Sequence, residues 1–134
     1  MTGFEAVLLY IVWIIALVMI YAGPRIPMAA VTDKRMDSWE RNKAPTDAAF
    51  FMRAKGAHLN CMENFPLFAA IVFVGAFMSK SAVVDAVAAY VLYLRIAQGV
   101  THMIGDSSPL VLVRASFFAA QAGLMLYMIW GLMH

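Results

Sequence analysis

The chain has 134 residues, of which 63% are hydrophobic and only 13% carry a charge. Soluble domains are usually about half apolar and about a quarter charged, so this composition indicates a protein whose solvent is the lipid bilayer. The formal net charge is only +2, and no basic run has interleaved aromatic residues, which excludes nucleic acid as an expected partner.

The first predicted element is a transmembrane helix over about 3–22. Residues 6–22 contain no charged side chain, and about 20 apolar residues are enough to cross the hydrocarbon core. Thr2 and Glu5 have the spacing of a capping box, which predicts that the helix begins at the start of the chain. No Lys or Arg precedes this run, so we expect a retained helix and not a cleaved signal peptide.

Residues 24–47 form the one long polar segment, in which basic and acidic side chains nearly balance. Because Lys and Arg alone set the orientation of a membrane protein, this loop is predicted to face the cytoplasm. An even number of spans then places both termini on the opposite side. The segment is interpreted either as a solvated connector or as a lid or membrane-surface segment anchored by Trp39.

Three further spans are predicted, over about 47–78, 82–104 and 109–132. Thr46 or Asp47 is expected to cap the second span, and Ser108, which is followed by a proline, the fourth. Successive helices joined by short turns are typical of an up-down-up-down bundle. We therefore predict an all-α membrane protein that forms a single four-helix domain.

Polar side chains inside a span are costly in lipid, so each one marks a candidate site. On helical geometry, one face of the second span carries Arg53, Asn60, Glu63 and Asn64, and one face of the third carries Arg95, Gln98 and His102. Glu63 and Arg95 both lie near the middle of their helices. Because an unpaired ion there is costly, we predict that they form a buried ion pair.

Towards the cytoplasmic end, these spans contribute Arg53, Asn60, Gln98 and His102, and Arg114 enters from the fourth. This set predicts a cationic, donor-rich pocket that suits a small anion with carboxylates. A purely structural set of interhelical polar contacts is an equally open interpretation. No spacing typical of a metal site is present, and the single cysteine, Cys61, excludes a cysteine-based metal site and an intrachain disulfide.

The segment 57–68, AHLNCMENFPLF, resembles the signature of the MAPEG family, membrane-associated proteins in eicosanoid and glutathione metabolism. The signature places alanine, asparagine, glutamate and proline at intervals of three, here Ala57, Asn60, Glu63 and Pro66. The segment 95–99, RIAQG, is similar to the family's third-helix segment. The length, the four spans and the long first loop also match.

The resemblance implies a homotrimer that binds glutathione between neighbouring subunits, near the cytoplasmic side of a bacterial inner membrane. It implies that Asn60 and Glu63 contact the glutathione peptide, that Arg95 supports Glu63, and that Arg53 and Gln98 belong to the same binding set. The implied activity is that of a transferase or peroxidase acting on lipophilic electrophiles. Its thiolate would be activated by Arg114, helped by His102.

Three positions depart from the family pattern. The enzymes usually carry an arginine where Gly56 stands and a tyrosine where His102 stands, and their thiol-activating arginine lies about one turn before Arg114. Two alternatives to an enzyme stay open. One is a non-catalytic MAPEG-like protein that binds a small anion or lipid, or serves as a subunit of a membrane complex. The other is a small transporter or channel.

Overall fold

The structure is a computed structural model that describes residues 1–24, 27 and 49–134. Within these ranges the chain forms helices and no strand, and the helices are α1 (Gly3–Ala22), α2 (Ala49–Phe77), α3 (Ser81–Asp85), α4 (Ala88–Ile104) and α5 (Ser108–Met133). Four stretches are long and apolar enough to span a membrane, because α3 and α4 together make one span. The chain is therefore an all-α, multi-pass integral membrane protein, as the sequence predicts.

Some of the sequence-based expectations fall on the rest of the chain. Most of the polar segment, its Trp39 anchor and the expected cap at Thr46 or Asp47 lie outside the described residues. The third span, predicted as one helix, is interrupted at Ala86 and Val87. This stretch is rich in valine, and the stiffness of β-branched side chains slightly disfavours regular helix.

The start of α1 confirms the predicted capping box. The Glu5 backbone N–H donates to Thr2 Oγ1 over 3.1 Å, and the Thr2 backbone N–H donates to Glu5 Oε2 over 3.0 Å. These two bonds satisfy amide groups that have no partner within the helix. The start of α5 differs from expectation, because Ser107 holds the N-cap position and its side chain makes no capping bond. The proline that follows, with its preset φ angle, is enough to begin that helix.

Neighbouring spans run in opposite directions. Along α1, Gly3 lies beside Val72, and Tyr21 near the other end contacts His58, so α1 and α2 are antiparallel. The core of the bundle is made of large apolar side chains, among them Tyr10, Leu17, Phe68, Leu92 and Met128. Many other large apolar side chains are exposed on the outer surface, as expected where the surroundings are hydrocarbon.

The short helix α3 closes the end of the bundle that lies opposite to the polar residues. The Gly3 backbone N–H at the start of α1 donates to Oδ1 of Asp85 over 2.6 Å. On α2, the missing side chain of Gly75 leaves room for Val84, since a Cβ there would lie 2.9 Å from Val84 Cγ2. Contact this close means that α3 fixes how α1 and α2 meet.

We expect Gly75→Leu to lower the melting temperature of the detergent-solubilised protein, because overpacking a tight contact typically costs about 1–3 kcal/mol. Gly123→Leu on α5 is the matched control, since a Cβ there meets nothing within 4 Å. Leucine improves the helix propensity equally at both positions, so the difference between the variants isolates the contact. Equal melting temperatures would contradict the close packing of α3 on α2.

Candidate functional site

A polar groove opens between α2, α4 and α5. Its volume is about 480 Å³, and it is lined by Asn60, Gln98, His102, Val111, Arg114, Ala115 and Phe118. Four of the seven residues singled out in the sequence thus meet in one place. Arg114 contributes the only formal charge among these lining side chains, so the groove is cationic and rich in hydrogen-bonding groups.

The groove residues of α4 are held in place by α5. Gln98 and His102 lie four residues apart, so they share one face of the helix. The Gln121 side chain of α5 donates from Nε2 to Oε1 of Gln98 over 2.9 Å and also to the Phe117 carbonyl over 3.1 Å. Gln121 is almost fully buried. Gln121 is not among the residues predicted from the sequence, although a lone amide in an apolar span is a signal of interhelical bonding.

Arg95 lies behind the groove, and the predicted ion pair with Glu63 is not formed. The Arg95 side chain is only 1% exposed, and its Nη1 donates to Oδ1 of Asn60 over 2.7 Å. Glu63 is exposed on α2. Around the helix axis Asn60 and Glu63 lie about 60° apart, and it is Asn60 that meets Arg95 of α4, while Glu63 lies on the exposed side of this face. The prediction of the ion pair is therefore wrong for the single chain.

The guanidinium of Arg95 is incompletely paired. Its Nε and Nη2, together with Trp13 Nε1, are buried and have no hydrogen-bond partner within the described part of the chain. The Cys61 side chain lies close to both Arg95 and Trp13. Buried polar groups are nearly always hydrogen-bonded, and proteins tend to break this rule at functional sites. Arg95 is therefore a buried cation whose hydrogen-bonding capacity is only partly used.

Arg53 lies near the groove without lining it. Its Nε donates to the carbonyl of Met103 over 2.9 Å, in the last turn of α4, where a cation is favoured by the helix dipole. On the groove side, Oδ1 of Asn60 accepts a second bond from Nδ2 of Asn64 over 3.0 Å. Arg53 and Asn60 therefore both tie α2 to its surroundings at the groove. No group of three or more metal-ligating side chains occurs among the residues described.

A second, apolar groove lies farther along the same helices, in the seam between α2 and α5. It has a volume of about 430 Å³ and is lined by Leu67, Ala70, Ile71, Ala122, Met125, Leu126 and Ile129. From Arg114 to Met125 the helix rises by about 16 Å, close to half of the roughly 30 Å hydrocarbon core. The seam therefore changes from polar to apolar over about the depth of one lipid leaflet.

The hydrogen bond between Arg95 and Asn60 leads to two predictions for the stability of the ligand-free protein, and they have opposite signs. Asn60→Leu removes a hydrogen bond to a buried cation and should cost about 1.5–3 kcal/mol. Arg95→Met removes the cation itself and should be neutral or stabilising. Thermal unfolding in detergent measures both. In the Arg95→Met background, Asn60→Leu should cost clearly less, and an undiminished cost would show that Asn60 does not act through Arg95.

The chain also matches a known family over almost all its length. The match is to the MAPEG family and covers residues 4–134. No curated protein and no solved structure matches the chain significantly. With four membrane-spanning helices and a family match over essentially the whole sequence, the chain belongs to the MAPEG family.

Proposed function

We propose that this protein is a glutathione-dependent membrane enzyme, a transferase or peroxidase that acts on lipophilic electrophiles. The observation that carries the proposal is the groove where Asn60, Gln98, His102 and Arg114 meet. Membership of the MAPEG family supports glutathione as the ligand of this groove. The groove volume also lies within the range of about 300–1,000 Å³ that is usual for small-molecule sites.

The groove residues fit the chemistry of glutathione. The tripeptide carries two carboxylates, and a guanidinium such as that of Arg114 binds a carboxylate or a thiolate through charge-assisted hydrogen bonds. The amides of Asn60 and Gln98 each have donors and acceptors that suit peptide groups. The residues present therefore match an anionic peptide better than a neutral apolar molecule.

The proposed mechanism assigns one role to each of two residues. Bound glutathione supplies a thiol nucleophile, and thiolate formation needs positive charge or donors close to sulfur. Arg114 stabilises negative charge on the sulfur, and His102 accepts the thiol proton as a general base. The apolar groove admits the electrophile from the lipid. In conjugation, a carbon–sulfur bond forms at the electrophilic carbon while its leaving group departs with the bonding electrons.

A non-catalytic function of the same seam is the second candidate. The succession of a polar groove at Arg114 and an apolar groove near Leu67 along the same two helices favours it. Such a seam fits an anionic lipid, which would place its head group against the guanidinium and its chain along α2 and α5. In this alternative the protein binds an anion or a lipid, or acts within a membrane complex, without activating a thiol.

We expect millimolar glutathione to raise the melting temperature of the purified protein, because a ligand that binds only the native state stabilises it. Arg114→Ala should abolish most conjugation of glutathione to an apolar aryl halide. Ser116→Ala is the matched control on the same helix, since its hydroxyl bonds only to the Leu112 carbonyl. Absence of any thermal shift would refute glutathione binding. A shift with unchanged turnover in Arg114→Ala would remove that residue from the mechanism.

The homotrimer is part of the proposal, and the position of Glu63 supports it. Glu63 is at the centre of α2 and is exposed on the single chain. A carboxylate that faces hydrocarbon at mid-depth is costly, and contact with a neighbouring copy removes this cost. We place the polar end of the bundle on the cytoplasmic side of a bacterial inner membrane, because α1 ends and α2 begins there and the sequence between them is rich in Lys and Arg.

Replacing Glu63 distinguishes an interface from a lipid-facing position. Native mass spectrometry of the wild type should give a mass of three chains. If Glu63 bonds to a neighbour, Glu63→Leu should lower both the trimer fraction and the melting temperature. If Glu63 faces lipid, Glu63→Leu should keep the assembly state and raise the melting temperature, because an apolar side chain replaces an exposed carboxylate. This second outcome would argue against the proposed interface.

A further inference from the structure

Gly56 of α2 and His102 of α4 are in direct contact. A Cβ at Gly56 would lie 3.0 Å from both Cε1 and Nε2 of His102, and 4.0 Å from Nδ1. Ordinary van der Waals contact begins at larger separations, near 3.5–4.0 Å between carbon atoms. Any side chain at position 56 must therefore displace the imidazole. The absence of a side chain there is what allows the ring to lie against α2.

A hydrogen bond beside this contact opposes separation of the two helices. Arg53 lies three residues before Gly56 on α2, and its Nε donates to the carbonyl of Met103 over 2.9 Å. Met103 is the residue after His102. The bond therefore links α2 to α4 next to the imidazole. Because the ring is the end of a side chain, we expect a larger residue at position 56 to move the ring before the backbone.

The ring has a defined electrostatic environment. His102 lines the polar groove together with Gln98 and Arg114. The charged groups that act on it within the described residues are Arg114 of α5, Asp106 of the turn between α4 and α5, and Arg53 of α2. Two cations and one carboxylate thus surround an imidazole that borders the proposed ligand site.

We propose that Gly56 and His102 act together. Because position 56 has no side chain, the imidazole of His102 lies where it contacts an anion bound in the groove, and the strength of this contact depends on whether the imidazole is protonated. The inference rests on the proposed function, because it concerns how the same groove holds glutathione. Gly56 is a positioning residue, and His102 is the group that contacts the ligand. Both positions are ones at which the sequence departs from the family pattern.

The direction of the pH dependence follows from charge. Protonated imidazole donates from both nitrogens and adds a positive charge beside Arg114, so it holds a carboxylate more firmly than neutral imidazole does. By linkage, the anion promotes protonation to the same extent that protonation tightens anion binding. Affinity therefore rises as the pH falls through the range in which histidine titrates.

Glutathione alkylated on sulfur is a suitable probe for this effect, because its sulfur cannot ionise in the groove. Between about pH 5.5 and 7.0 its carboxylates stay ionised and its amine stays protonated, so a change in affinity comes from the protein. We expect its Kd, measured by calorimetry on the detergent-solubilised protein, to be about threefold to tenfold lower at pH 5.5 than at pH 7.0. His102→Gln should abolish the dependence, and Gly56→Ala should weaken it by displacing the ring.

His58→Gln is the matched control. His58 lies on the same helix, but its Nδ1 is paired with the Tyr21 hydroxyl over 3.1 Å and it does not line the groove. This variant should retain the full pH dependence of probe binding. In the His102→Gln background, Gly56→Ala should have no further effect on the pH dependence, because the imidazole that it would displace is absent.

A second readout tests the seating of the ring without a ligand. With ¹³C-labelled histidine, the His102 resonance is identified by its loss in His102→Gln, and Gly56→Ala should shift it while leaving the His58 resonance in place. A resonance that does not move overturns the inference. Affinity for the alkylated glutathione that is equal at both pH values overturns the inference alone and leaves the proposed function standing. Failure of glutathione to bind at either pH overturns the proposed function and the anion contact together.

Discussion

The interior of this bundle depends on keeping the Arg95 guanidinium away from hydrocarbon. A cation at mid-depth in a membrane is tolerated only where protein surrounds it and offers hydrogen bonds. Asn60 meets part of this need with a bond of 2.7 Å to Nη1. That bond turns one face of α2 towards α4, and the same rotation presents Asn60 to the groove and leaves Glu63 exposed. One polar contact thus determines which side chains of α2 face the interior of the bundle.

Much of the fold could be predicted from the sequence, because its determinants are local. Four apolar stretches specify four spans, and Thr2 with Glu5 specifies where the first begins. The meeting of Gln98, His102 and Arg114 also follows from depth, since each lies near the same end of its helix. What depth cannot give is rotation about the helix axis, and for this reason Glu63 was wrongly paired with Arg95. The burial of Gln121 and the break before α4 depend on packing between helices, which no single segment encodes.

Two of the departures from the family pattern, at Gly56 and His102, are related to each other in the structure. Gly56 and His102 stand 46 positions apart in the sequence, yet the structure brings them into contact. The absence of a side chain at position 56 of α2 makes room for the imidazole of α4. This relation depends on the distance between two backbones, so it cannot be read from the sequence.

The position of α5 has a consequence for how molecules enter from the membrane. α5 is the least buried of the four spans, and the buried amide pair Gln121–Gln98 joins it to α4. Lipid tails are about as apolar as leucine, so separating apolar helix surfaces in a bilayer has little hydrophobic cost. Lateral displacement of α5 is therefore resisted by that amide pair, by the bond from Lys80 Nζ to the Leu132 carbonyl and by side-chain packing. In the single chain, the groove at Arg114 thus opens beside the span that has the most surface turned towards the surrounding lipid.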